Sequence, residues 1–142
     1  MHCHLVLVIP HVKSLEGRHT MFLKRNIEFK TDDAILRGWF FTPKQQNIPA
    51  PCIIMTHGFG ALKEHGLKKF ATQFSENGMC VLLYDNRNFG DSDGMPRLEV
   101  DPVAQIKDMR NAITFVQTLK EVNPTNIGLW GTSFSCISHD FI

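Results

Sequence analysis

Three short apolar runs constrain this chain more than any other feature. They are Cys52-Ile53-Ile54-Met55, Cys80-Val81-Leu82-Leu83-Tyr84 and Ile127-Gly128-Leu129-Trp130. A strand with one wet face alternates apolar and polar residues, whereas an unbroken run of four or five suits a strand covered on both faces. Helical patterns separate the runs. Leu67, Phe70, Ala71 and Phe74 recur at helical spacing, and Asn77-Gly78 suits a left-handed cap. Asp101-Pro102 opens a second helix with the acid at N-cap and proline at N1. Its apolar stripe is Ile106, Met109, Ile113 and Val116, widened by Ala112, Phe115 and Leu119, and Asn123-Pro124 is expected to stop it. Strands and helices in this order predict a parallel sheet with right-handed crossovers and flanking helices.

A different rhythm precedes the first run. Asn26 to Lys30 alternates, Thr31-Asp32-Asp33 is a turn signal, and Ala34 to Phe41 reads as a second strand closed by Pro43. Together they predict an antiparallel hairpin, followed by a polar, proline-containing loop over residues 44–51. The fold class is therefore α/β: a hairpin leading into a mostly parallel sheet. The first twenty residues follow neither pattern and hold four of the seven histidines, His2, His4, His11 and His19. Residues 1–24 are expected to form a poorly ordered leader, and residues 25–142 the domain. His2 and His4 would share one face of a strand, but no second ligand cluster accompanies them, so no metal is expected.

Composition excludes several function classes. With 142 residues, 43% apolar and 20% charged, the chain suits one globular domain. A net charge of +1 leaves no electrostatic footprint for nucleic acid. No apolar run approaches the ~18 residues of a membrane span, and Leu5 to Pro10 lacks the basic flank and cleavage site of a secretory signal. Cys3, Cys52, Cys80 and Cys136 show no CxxC spacing, so a reduced, cytoplasmic protein is expected.

In parallel sheets, function gathers at the carboxyl ends of the strands. Three loops should share that rim: His57–Lys63, Asp85–Gly94 and Gly131–Ser135. Gly131-Thr132-Ser133-Phe134-Ser135, directly after the third run, reads as a nucleophile elbow, a tight turn that lifts one serine above the sheet. Ser133 is the candidate nucleophile, and the Phe134 amide would donate to an oxyanion. Small residues must flank such a turn; Gly131 meets this, and Ser135 stands where glycine is usual. His57-Gly58-Phe59-Gly60 follows the first run, and the Phe59 amide is the second oxyanion candidate. His57 is expected to be structural rather than the base. The same loop supports a rival, because Gly58-x-Gly60 followed by Asp85 at the end of the next strand is part of a dinucleotide fingerprint. Lys63 occupies the third glycine position, and the hairpin precedes the unit, both against that rival. In the Asp85–Gly94 loop, a structural ion pair is expected for Asp85 and Arg87, while Asp91 and Asp93 lack the spacing of a calcium loop.

The ordered set HGFG, YDNRNFGDSDG and GLWGTSFS, with the hairpin before it, resembles the α/β-hydrolase superfamily over residues 25–135. The likeness is greatest to the serine-aminopeptidase-like and dienelactone-hydrolase-like groups, including fungal polyketide transferase or thiohydrolase-like proteins. The resemblance implies a serine hydrolase or acyl transferase acting on an ester, thioester or peptide bond. Ser133 would be the nucleophile and the amides of Phe59 and Phe134 the oxyanion hole, with a small acyl substrate and no cofactor. It also implies an acid and then a histidine after the elbow. Only nine residues follow Ser133. His139 and Asp140 come in the wrong order, and ~1.5 Å per residue puts them roughly 9–10 Å beyond Ser133 on the same helix. The chain is thus expected to be the N-terminal half of the fold, truncated after the elbow. Its last strand would be an open edge able to self-associate. A non-catalytic remnant or interaction module is the alternative.

Overall fold

A computed structural model describes residues 21–44, 48–133 and 135. Among these residues, five strands and two helices follow in the order β1 (Phe22–Lys30), β2 (Ile35–Pro43), β3 (Ala50–Thr56), α1 (Lys68–Glu76), β4 (Cys80–Tyr84), α2 (Pro102–Gln117) and β5 (Val122–Gly131). One sheet holds all five strands in the spatial order β1-β2-β4-β3-β5. The hairpin β1–β2 is antiparallel, with Phe22 opposite Pro43 and Lys30 opposite Ile35. β2 joins β4 antiparallel, and β3 lies parallel to β4 on one side and to β5 on the other. The expected hairpin is present, and it leads into a mixed sheet in which β3, β4 and β5 run parallel.

The continuous apolar runs become strands because the sheet is covered on both faces. Alternate residues of each run enter different cores. Cys52, Ile54, Cys80, Leu82 and Tyr84 pack with Met109, Ala112 and Val116 of α2. Ile53, Met55, Val81 and Leu83 pack with Ala71 of α1 and with Leu67 just before it. Phe70 and Phe74 of α1 lie over Trp130, with ring centroids 5.2 and 6.4 Å apart. Asp101 caps α2 as expected, its carboxylate accepting from the Ala104 amide. The buried face of α2 is Gln105, Asp108, Met109, Ala112 and Val116, rotated from the expected stripe; Ile106 and Ile113 are only half-buried.

Three boundaries differ from the sequence reading. β1 starts at Phe22, four residues before the expected strand and inside the expected leader, because the Phe22 ring packs 5.6 Å from that of Phe41. α2 stops at Gln117 rather than at Asn123-Pro124. That dipeptide lies within β5 instead, where Val122 pairs with Ala50 and Ile127 with Cys52. Five steps on β5 against two on β3 throw residues 123–126 out as a bulge, closed by the Asn123 side chain accepting from the Thr125 amide and hydroxyl. The features expected at His2, Cys3, His4, Phe134, Cys136, His139 and Asp140 lie outside the described residues.

Candidate active site

The register of the sheet assembles the expected rim. Thr56 of β3 pairs with Tyr84 of β4 and with Gly131 of β5, so three strands end level and their loops leave side by side. Ser133 stands at the tip of the third loop, exposed, with φ 55°. A left-handed backbone costs a non-glycine residue roughly 1–2 kcal/mol, so the surrounding turn must hold it. Gly58 lies directly beneath. A Cβ added there would come within 3.2 Å of the Thr132 carbonyl oxygen and 3.3 Å of Ser133 Cβ. Glycine suits this position because the two loops approach so closely that a side chain would have to push the elbow aside by a few tenths of an ångström.

The 57–63 loop is held at both ends. His57 is buried, and both ring nitrogens are engaged: Nδ1–H donates to the Gly58 carbonyl at 2.9 Å, and Nε2 accepts the Asn86 amide at 2.9 Å. Burial, the largest influence, pushes the imidazole pKa down despite the Gly58 bond, so His57 is neutral. With its acceptor nitrogen filled by an amide, it matches the structural role expected of it. From the elbow side, the Ser135 hydroxyl donates to the His57 carbonyl. At the far end, the Lys63 amide donates to Asp85 Oδ1 at 2.8 Å and its ammonium to Oδ2 at 2.6 Å. Phe59 lies between these anchors, with its side chain exposed.

Asp85 and Arg87 do not pair with each other. Asp85 is fully buried and binds Lys63 and the Asp91 amide. Arg87 turns to the other face of the loop, forking onto both oxygens of Asp108 at 2.7 Å and reaching Asp33 at 3.1 Å. The two acids of the loop are also engaged, Asp91 with Lys63 and Asp93 with Arg37. Burial opposes the charge on Lys63, but the hydrogen bonds that its ammonium donates to Asp85 and Asp91 hold its pKa above the usual lysine value. Burial likewise raises the Asp108 carboxyl, against the pull of Arg87. The dinucleotide reading needs Asp85 to face a ribose; here the carboxylate is enclosed and already occupied by Lys63.

Sequence reasoning missed Lys63, Asn86 and Asp108 as partners. Asp108 carried a signal, since an acid on the same helical face as Met109 and Ala112 needs a buried cation. Lys63 carried a fainter one, a lysine closing a glycine-rich loop. Among the described residues, no group of three or more His, Cys, Asp or Glu is placed to hold a metal, and no helix is long and apolar enough to cross a membrane. Cys52 and Cys80 are buried free thiols, and burial raises Cys80 to about 11. A cavity of about 490 Å³ opens beside Arg37, Trp39, Lys63 and Asp91, away from Ser133.

The same architecture recurs in known proteins. The family model for X-Pro dipeptidyl-peptidase (S15 family) matches residues 34–139. A thiohydrolase from Eupenicillium brefeldianum is 44% identical over 115 residues, which are 80% of this chain and 36% of that protein. A polyketide transferase from Aspergillus fumigatus is 40% identical over 116 residues, covering 81% and 39% respectively. The crystal structure of the α/β hydrolase GrgF from Penicillium superposes with a TM-score of 0.72 at 38% identity, over 77% of this chain and 37% of that one. The chain thus spans little more than a third of the length of these relatives.

Proposed function

This chain belongs to the S15 peptidase family within the α/β-hydrolase superfamily, and from that premise we propose that it carries the nucleophile side of a serine acyl-transfer site. Its relatives include hydrolases, thiohydrolases and acyl transferases. The observation that carries the reading is the approach of two loops: the left-handed, exposed Ser133 stands against Gly58, one residue before the Phe59 amide.

In the proposed reaction, Ser133 Oγ attacks the carbonyl carbon of an acyl donor. The new C–O bond leaves a tetrahedral oxyanion, which accepts hydrogen bonds from the amides of Phe59 and Phe134. Donors of this type are typically worth about 10²–10³ in rate each. Collapse expels the alcohol, thiol or amine, and water or a second nucleophile takes the acyl group. Thioesters are the first donors to try, because relatives at 40–44% identity are a thiohydrolase and a polyketide transferase; esters and peptides remain in the class. The serine proton must pass to a base, which returns it to the departing alcohol, thiol or amine. His57 does not serve, since its Nε2 already accepts from Asn86. Without a base, an oxyanion hole and binding leave about 10³–10⁴-fold over water.

Mass spectrometry after treatment with an alkyl phosphonofluoridate tests the reading. One phosphonyl group should appear on the peptide containing Ser133, and Ser133→Ala should abolish it. A folded wild-type chain that gains no mass, or gains it equally in Ser133→Ala, would reject Ser133 as the nucleophile.

A further inference from the structure

The contact between Lys63 and Asp85 ties the fold to the site. Both side chains are buried, 3% and 0% exposed, at the far end of the 57–63 loop. Two different bonds join them. The ammonium neutralises a carboxylate that has no other cation against it among the described residues, and the Lys63 backbone amide donates to Oδ1 at 2.8 Å. Asp85 also accepts the Asp91 amide at 3.1 Å, and its own carbonyl accepts the Ser92 hydroxyl at 2.7 Å. Gly90, with φ +51°, packs so close to the Asp85 carboxylate that any added Cβ would strike it. The carboxylate is therefore clamped from the rim-loop side before it holds Lys63. One residue further on, the Asn86 amide holds His57 at the near end of the same loop. The end of β4 thus grips both ends of a loop that spans only Gly58 to Leu62. The Gly58 carbonyl accepts from the Ala61 amide at 3.2 Å, so the span is a tight turn with little slack.

We infer that Lys63 and Asp85 are positioning residues, which fix the far end of this loop and so aim the Phe59 amide at Ser133. The inference rests on the serine-nucleophile reading above. The bond that positions the loop is the one from the Lys63 amide to the carboxylate; the ammonium makes that buried carboxylate tolerable. Losing one charge alone would confound folding with positioning, because it strands the other charge. Two double variants separate these effects. Lys63→Met/Asp85→Asn removes both charges and keeps an acceptor for the residue 63 amide. Lys63→Met/Asp85→Leu removes both charges and the acceptor.

The test measures the rate of Ser133 phosphonylation and amide hydrogen exchange in the full chain for wild type and both variants. The Asn variant should label at least tenfold faster than the Leu variant. In the Leu variant, exchange should quicken at residues 58–63 while β3 and β4 stay as protected as in the Asn variant. A purely structural role would instead raise exchange throughout β3 and β4. Equal labelling and equal loop exchange in the two variants overturn the inference, as does faster exchange spread over the whole sheet. Failure of the nucleophile reading looks different: wild type and Ser133→Ala label alike. The loop exchange still decides whether Asp85 holds the loop in that case.

Discussion

Acidification should destabilise this chain through His57, by an amount the geometry bounds. In the folded state Nε2 accepts the Asn86 amide and Nδ1–H donates to Gly58, so a second ring proton would point at an N–H donor inside the protein. The folded pKa is lowered, chiefly by burial. Below the unfolded value of about 6.5, the unfolded chain therefore binds a proton that the folded chain refuses. The His57 contribution is complete above that pH and is lost as pH falls. If the folded ring stays neutral to pH 5.5, the loss between pH 7.5 and 5.5 is at most about 1.4 kcal/mol. Urea unfolding at both pH values, for wild type and His57→Gln, measures it. Glutamine can still accept from Asn86 but does not titrate, so the variant should be less stable at pH 7.5 yet lose less on acidification. The difference between the two losses isolates His57 from every other histidine. Equal losses, or a wild type that gains stability on acidification relative to the variant, would refute the claim that His57 is a buried neutral strut.

Three further outcomes follow from the packing. Arg87→Ala strips Asp108, whose side chain is 1% exposed, of its forked partner; urea unfolding should show a loss of about 3–5 kcal/mol. Asp33→Ala, at the exposed end of the same arginine, should cost only about 0–1 kcal/mol, and equal costs would contradict the buried-pair account. A methyl at Gly38 would meet the Leu83 carbonyl and stand 2.6 Å from Tyr84 Cα. Gly38→Ala must therefore spread β2 from β4, with a cost of about 1–3 kcal/mol or more in thermal unfolding; an unchanged midpoint would contradict the close strand contact. We also propose self-association through β5, which pairs with β3 at one end of the described sheet. Light scattering should then show mass rising with concentration, and a monomer at every concentration removes the proposal.

The parts of the fold legible in the sequence were those set by local repetition. The runs at residues 52–55 and 80–84 became strands because two-sided burial leaves no other use for them, while 127–130 forms a half-buried strand beside β3. The rim order followed from the same argument, since parallel strands must end together. Features set by distant partners were not legible. Asn123-Pro124 has the local chemistry of a helix stop, yet pairing of Val122 with Ala50 draws it into a strand bulge. Asp85 and Arg87 are two residues apart and of opposite charge, but successive odd positions at a strand end met different neighbours, Lys63 and Asp108. The position of Ser133 was readable from its motif, while the anchors on the loop beside it came only from tertiary contacts.

If Ser133 and the 57–63 loop form one acyl-transfer site, a trapped adduct must touch both. A crystal structure of the phosphonylated chain would show this. Phosphorus should be bonded to Ser133 Oγ, with the phosphoryl oxygen about 2.7–3.1 Å from the Phe59 amide nitrogen. An adduct on another residue, or a phosphoryl oxygen turned away from the 57–63 loop, would contradict a single shared site.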